Sequence, residues 1–197
     1  IPRGWLDVAI IGDAQQGKGK TASAYSEFYG NGKVIAGENC SVAGLLGCLE
    51  TKFGRPHIVW GEWCMSDKRL VIMDEAPEEK VMEKLSRARS DGIAEITKNA
   101  QYGKAMARLR KIWIVNPFGG KEIKDYPFGV EAIKERFPDP ADVARFDTVL
   151  VAARDDVFGD LINKTWQTED PENKEDARLR LAWIWSRNPE QIFFSDP

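Results

Sequence analysis

The feature that most constrains this chain is the decapeptide GDAQQGKGKT at residues 12–21, which lies directly behind the apolar run 6–11 and ahead of a helical stretch at 21–29. A strand that turns through glycines into a helix aims backbone amides at one point. Such a turn cradles phosphates, and a lysine within it reaches the terminal ones. Two registers fit. If Gly12 opens the loop, Gly17 and Lys18 are the motif's glycine and lysine, and Gly19 stands where Ser or Thr would hold magnesium. If Ala14 opens it, Gly19, Lys20 and Thr21 complete GKT. The first keeps the loop directly behind the strand; the second supplies the hydroxyl that magnesium favours. The first is preferred, with Thr21 as a substitute hydroxyl. The candidate nucleotide-binding residues are therefore Gly12, Asp13, Ala14, Gln15, Gln16, Gly17, Lys18, Gly19, Lys20 and Thr21. The bland alternative is a glycine-rich turn with two solvated lysines, and it loses weight because partner motifs follow downstream.

The rest of the chain alternates short apolar runs with helical patterns, which favours an α/β fold with a parallel five-stranded sheet flanked by helices. Strands are expected at 6–11, 33–36, 70–73, 112–115 and 148–152, and helices near 21–29, 78–89, 130–136 and 174–187. Residues 44–63, with a turn signal at 53–56, and residues 93–109 each read as two strands around a polar tip, hence as hairpin insertions. Residues 1–155 form the expected nucleotide-binding core. Beyond it, residues 156–197 shift in composition: a polar, acidic loop at 167–175 precedes an amphipathic helix at 176–185.

Composition removes several function classes. No apolar run approaches the roughly 20 residues of a membrane span, and no secretory signal is visible, so the cytoplasm is the expected compartment. Cys40, Cys48 and Cys64, even with His57, lack the paired close spacings of a zinc site and read as small buried thiols. The net charge of −3 means that any nucleic acid would be held by local basic loops rather than by the whole surface.

Three further sites carry chemistry. LVIMDE at 70–75 is an apolar strand ending in two carboxylates, suited to divide labour between the Mg²⁺ shell (Asp74) and the attacking water (Glu75). Acidic pairs are common in loops, and this one gains meaning from lying downstream of the phosphate loop. Asn116, closing the strand at 112–115 and followed by PFGG, could orient the lytic water; Asn before Pro also starts ordinary turns. Arg145 in ARFD suits an arginine finger reaching a neighbour's γ-phosphate, the alternative being a salt bridge with Asp147.

In their order, these residues resemble the AAA+ module of minichromosome maintenance (MCM) helicases, above all the MCM-like proteins of phages, plasmids and other mobile elements. RGWLDVAIIGD at 3–13 resembles the family's strand into its P-loop. GENCSVAGL at 37–45 is similar to the segment leading into the insert within its second helix. LVIMDE matches the Walker B strand, NPFGG at 116–120 the sensor 1 segment, and ARFD at 144–147 the arginine-finger segment. The run 96–110 looks like the pre-sensor 1 hairpin, with Lys98 at the tip-lysine position and Ala107 and Arg108 on the returning strand.

The resemblance spans residues 1 to about 152. It implies an AAA+ P-loop fold, ATP and Mg²⁺ as cofactors, a hexameric ring with ATP sites shared between neighbours, and DNA moved by hairpins in a central channel. Asp74 and Thr21 would then serve the metal, while Lys98, Lys104 and Arg108 would contact DNA. Gly19 departs from the family's magnesium-ligand position. The tail resembles the start of a small helical lid that stops before completion, so no residue is assigned as the second sensor arginine, and a piece of a longer polypeptide is expected.

Two other functions compete with an ATP-driven helicase. Related AAA+ modules remodel proteins, but the basic residues Lys98, Lys104, Arg108 and Arg110 favour DNA over a polypeptide-gripping loop. A nucleotide-binding subunit that does not hydrolyse has only Gly19 in its favour.

Overall fold

The computed structural model describes residues 5–154, 171–187 and 191. Its strands are β1 (Leu6–Gly12), β2 (Gly32–Ala36), the hairpin β3 (Gly47–Lys52) and β4 (Arg55–Trp60), β5 (Leu70–Asp74), the hairpin β6 (Ile93–Lys98) and β7 (Gln101–Met106), β8 (Arg110–Val115) and β9 (Thr148–Ala152). Five of these form one sheet in the order β2-β5-β8-β1-β9, and every pairing in it is parallel. The five strands expected from the sequence are the five found.

Central strands of such a sheet are covered on both faces and read as unbroken apolar runs. Leu70, Val71, Ile72 and Met73 of β5 are all at most 2% exposed. The short helices α2 (Val42–Leu45) and α3 (Glu62–Met65) flank the β3–β4 hairpin, and one face of the sheet packs Ala9, Ile11, Val71, Met73, Trp113 and Val115 with α4 (Glu79–Asp91) and α5 (Ala132–Arg136). The other packs Leu70, Ile72 and Ile114 against Ala22 of α1 (Lys18–Tyr29). Trp113 is the hub of the first face, meeting Trp63, Phe137 and Phe146 edge-on at 6.1, 5.8 and 6.4 Å.

Charge is buried in that same layer. Arg89 is 0% exposed and lies between the rings of Trp113 and Phe146, 5.3 and 4.9 Å from their centroids. It bonds Asp7 at 3.0 Å and Asp142 at 2.7 Å. A buried guanidinium is tolerated only when paired and hydrogen-bonded in this way. The pairs tie the end of α4 to β1 and to α6 (Pro140–Val143).

Both hairpins turn on two residues of positive φ, Phe53 and Gly54 (53° and 73°) and Asn99 and Ala100 (50° and 59°), the geometry of the favoured tight hairpin turn. They lie against each other: a Cβ on Gly103 would stand 2.3 Å from Ile58 Cδ1.

The tail differs from expectation. Its helix, α7 (Pro171–Ser186), begins inside the stretch read as a loop, because proline presets φ for a first helical turn and needs no donor there. It is not amphipathic in the expected sense: Leu179 and Trp183 are 62% and 60% exposed. Polar anchors hold it instead. Arg178 Nη2 donates to Glu27 O at 2.7 Å, Lys68 Nζ donates to Ser186 O at 2.7 Å, and Arg110 covers the Trp185 ring. The Arg178 anchor sits at the C-terminal end of α1, the opposite end from its glycine-rich loop. Residues 156–170, assigned from sequence to the lid's beginning, lie outside the described residues, as does residue 155 at the end of the expected core.

Candidate functional site

The glycine-rich loop leaves β1 and enters α1 at Lys18, three residues earlier than the sequence suggested, with Gly17 capping the helix at φ 73°. Its shape is fixed from behind by Asp13. That carboxylate is 3% exposed and accepts from the backbone amides of Ile123 and Arg154, each at 2.7 Å. Asp13 thus shapes the loop and does not face the cleft.

A cleft of about 420 Å³ opens over the loop, lined by residues 15–20 together with Asp74, Ile114 and Asn116. Its position at the carboxyl ends of β1, β5 and β8 is where ligands of open parallel α/β sheets sit, and its volume suits a small-molecule ligand. Lys18 points inward. Its ammonium donates to Gly12 O and Asn116 Oδ1, both at 2.8 Å, and to Asp13 O. Burial pulls Lys18 below the usual lysine range, opposed by the carboxylates of Glu75, Asp13 and Asp74. Lys20 is exposed along the cleft rim.

Asp74 and Glu75 end β5 on opposite sides of a sharp backbone change. Glu75 has φ 66°, uncommon for a residue with a side chain and usually found where the surroundings impose it. Two contacts impose it here. Glu75 N donates to Ile114 O at 2.8 Å, and Gly37 packs so close that a Cβ there would stand 1.9 Å from Glu75 O. The Glu75 carboxylate is held at both oxygens: Asn116 Nδ2 donates to Oε1 at 2.6 Å, and Arg136 Nη2 to Oε2 at 2.5 Å. Lys18, Asn116, Glu75 and Arg136 form one continuous chain of polar contacts.

The donor set bears on magnesium. A Cβ on Gly19 would stand 3.9 Å from Asp74 Oδ2, so Gly19 occupies the position from which a hydroxyl would reach a metal at Asp74, and it has none. Thr21 is exposed and is not among the cleft residues. Among the described residues there is no group of three or more His, Cys, Asp or Glu side chains able to hold a metal. Asp74 alone still fits Mg²⁺, which retains several waters and takes one or two carboxylates plus phosphate oxygens.

Other candidates lie elsewhere. Arg145 is turned inward, donating to Ser90 Oγ at 2.9 Å and Ala141 O at 2.6 Å and pairing with Asp142 at 3.4 Å. Asp147, its partner in the alternative reading, accepts from Asp7 N at 2.8 Å. Lys98 closes the β6–β7 hairpin opposite Gln101 and is exposed; Lys104 is exposed opposite Glu95. Arg108 is committed to Asp67, with Nη2 2.6 Å and Nε 3.1 Å from its carboxylate, and so does not join Lys98 at the tip. Burial pushes the Asp67 carboxyl up, but the hydrogen bonds and charge of Arg108 outweigh it and hold it below the ordinary aspartate range.

Sequence reasoning missed Arg136, Asp142 and the role of Asp13. The first two carry no motif; their partners come from distant elements.

Fold and site together define an α/β protein with a parallel five-stranded sheet and a phosphate-loop-like turn. No protein-family model matches the sequence, and no curated protein does either. Among the described residues no helix is long and apolar enough to cross a membrane.

Proposed function

We propose that this chain is the ATP-hydrolysing core of an MCM-like AAA+ DNA helicase or translocase, serving replication of a mobile element in the cytoplasm. The observation that carries the reading is the convergence of Lys18, Asp74, Glu75 and Asn116 at the carboxyl ends of adjacent parallel strands. In this reading the amides of the glycine-rich loop and Lys18 hold the triphosphate. Asp74 holds Mg²⁺, which neutralises charge on the phosphates. Glu75 and Asn116 orient water in line with the γ-phosphorus, and the water's proton passes to Glu75 as the bond to the β-phosphate oxygen breaks and ADP leaves. Arg145 acts on the neighbour's site within a ring, most simply a hexamer.

Support for DNA as the partner comes from Lys98 at an exposed hairpin tip, on a segment that runs through β7 into β8 and so to Asn116. A second reading, an AAA+ protein remodeller, draws on Phe53, 96% exposed at the tip of the β3–β4 hairpin; an exposed aromatic can grip polypeptide, though it equally stacks on bases. ATP turnover measured with and without single-stranded DNA tests the proposal. Turnover stimulated by DNA supports it, turnover indifferent to DNA favours remodelling, and nucleotide binding without turnover leaves a non-hydrolysing subunit.

A further inference from the structure

We infer that Arg136 is a positioning residue for Glu75, one that fixes the direction of its carboxylate for hydrolysis. The inference rests on the reading of Glu75 as the group that activates water.

Glu75 leaves the sheet from a backbone fixed in the left-handed region, but its side chain still has several torsions to set. Asn116 alone, bonding Oε1, leaves the carboxylate free to pivot about that contact. Arg136 on Oε2 removes the pivot. An ionised carboxylate offers about four lone-pair sites, so both bonds can persist while Glu75 still accepts from a water. The clamp's far side is rigid. Arg136 closes α5, where Ala132 and Ile133 are 0% and 2% exposed, and its neighbour Phe137 is locked edge-on between Trp113 and Phe146 at 5.8 and 5.0 Å.

A purely structural role explains the contact less well. Arg136 Nε is buried without a hydrogen-bond partner among the described residues, and leaving such a donor unmatched is unfavourable. A guanidinium kept only for stability would have both edges satisfied. This one spends a single nitrogen, Nη2, on Glu75 Oε2 and leaves Nε unmatched.

The test uses the full chain in its assembled state, with ATP turnover, affinity for a fluorescent ATP analogue and thermal melting measured side by side. Arg136→Met retains the apolar stem and removes the fork. It should lower kcat about ten- to a hundredfold, the scale of a small misplacement at a reacting centre, with nucleotide affinity and melting temperature close to wild type. Arg136→Lys, which restores charge without the fork, should give an intermediate kcat. In a Glu75→Gln background, Arg136→Met should lower turnover no further, because residues acting as a unit are not additive.

Wild-type kcat in Arg136→Met, or an equal further loss on top of Glu75→Gln, overturns the inference while leaving the hydrolytic reading standing. A wild-type chain that binds ATP without turning it over overturns both. If Arg136→Met does not fold, Arg136→Lys carries the test, and a wild-type kcat there counts against the inference.

Discussion

Asn116 Nδ2 donates to Glu75 Oε1 at 2.6 Å, so the amide just past β8 and the carboxylate just past β5 act as one hydrogen-bonded unit across adjacent strands. Their backbones are in register, with Asp74 opposite Ile114, which is why the pair meets without a long loop on either side. If Glu75 positions the lytic water, Glu75→Gln keeps the size and the contact with Asn116 but loses the base. Turnover should fall at least about a hundredfold, within the range a positioned base contributes, while affinity for ATP is retained. A variant that hydrolyses at the wild-type rate removes Glu75 from the mechanism.

The overlapping GKGKT makes two lysines available, and only Lys18 reaches Asn116 and the carbonyls of Gly12 and Asp13. Lys18→Ala should therefore abolish nucleotide binding, and Lys20→Ala should merely weaken it. Titration with a fluorescent ATP analogue distinguishes the registers; the reverse pattern selects the one opened by Ala14, with Thr21 on the metal.

How much of this was legible beforehand depends on how local the cause was. The strands of the sheet were readable because each central one is a contiguous apolar run, as at Leu70 to Met73, and both hairpins because their turns sit between β-prone stretches. The order of Lys18, the acidic pair and Asn116 was readable for the same reason: each closes or follows such a run. Arg136 and Asp142 were not. Their meaning lies in contacts with Glu75 and Arg89, 61 and 53 residues away, and no spacing in the sequence encodes them. The start of α7 is not legible in the sequence because Pro171, which opens the helix, is indistinguishable there from a loop proline.

Arg145 is tied in cis to Ser90, Ala141 and Asp142, so a finger role requires it to exchange these partners for a neighbour's phosphate. Mixing Arg145→Ala chains with Glu75→Gln chains should regenerate some intact interfaces and recover part of the turnover that each lacks alone. Turnover per chain that is independent of concentration, from a species that stays monomeric, would falsify the trans assignment.

Lys98 at the β6–β7 tip and Arg108 between β7 and β8 should separate in their effects, because Lys98 is exposed and Arg108 is paired with Asp67. Lys98→Ala should leave basal ATP turnover nearly intact, weaken DNA binding with a shallower salt dependence, and remove DNA stimulation or unwinding, as expected when a single phosphate contact is lost. Wild-type unwinding by that variant discards the hairpin as a DNA contact. Arg108→Ala should act on stability instead. Its partner Asp67 is held below the ordinary aspartate range, and a carboxyl with a depressed folded value contributes stability that is fully present above its unfolded value and is lost as pH falls through the folded one. Removing the guanidinium should thus destabilise the chain by about 1–2 kcal/mol at neutral pH, between an exposed pair and a buried charged hydrogen bond. The difference from wild type should shrink once the medium is acidic enough to protonate Asp67 in both folded proteins. Denaturant titrations at neutral pH and at a series of values stepped downward from the unfolded aspartate value of about 3.9 measure this directly: a gap that stays constant down to the lowest pH at which both proteins fold means the pair contributes by packing rather than by charge.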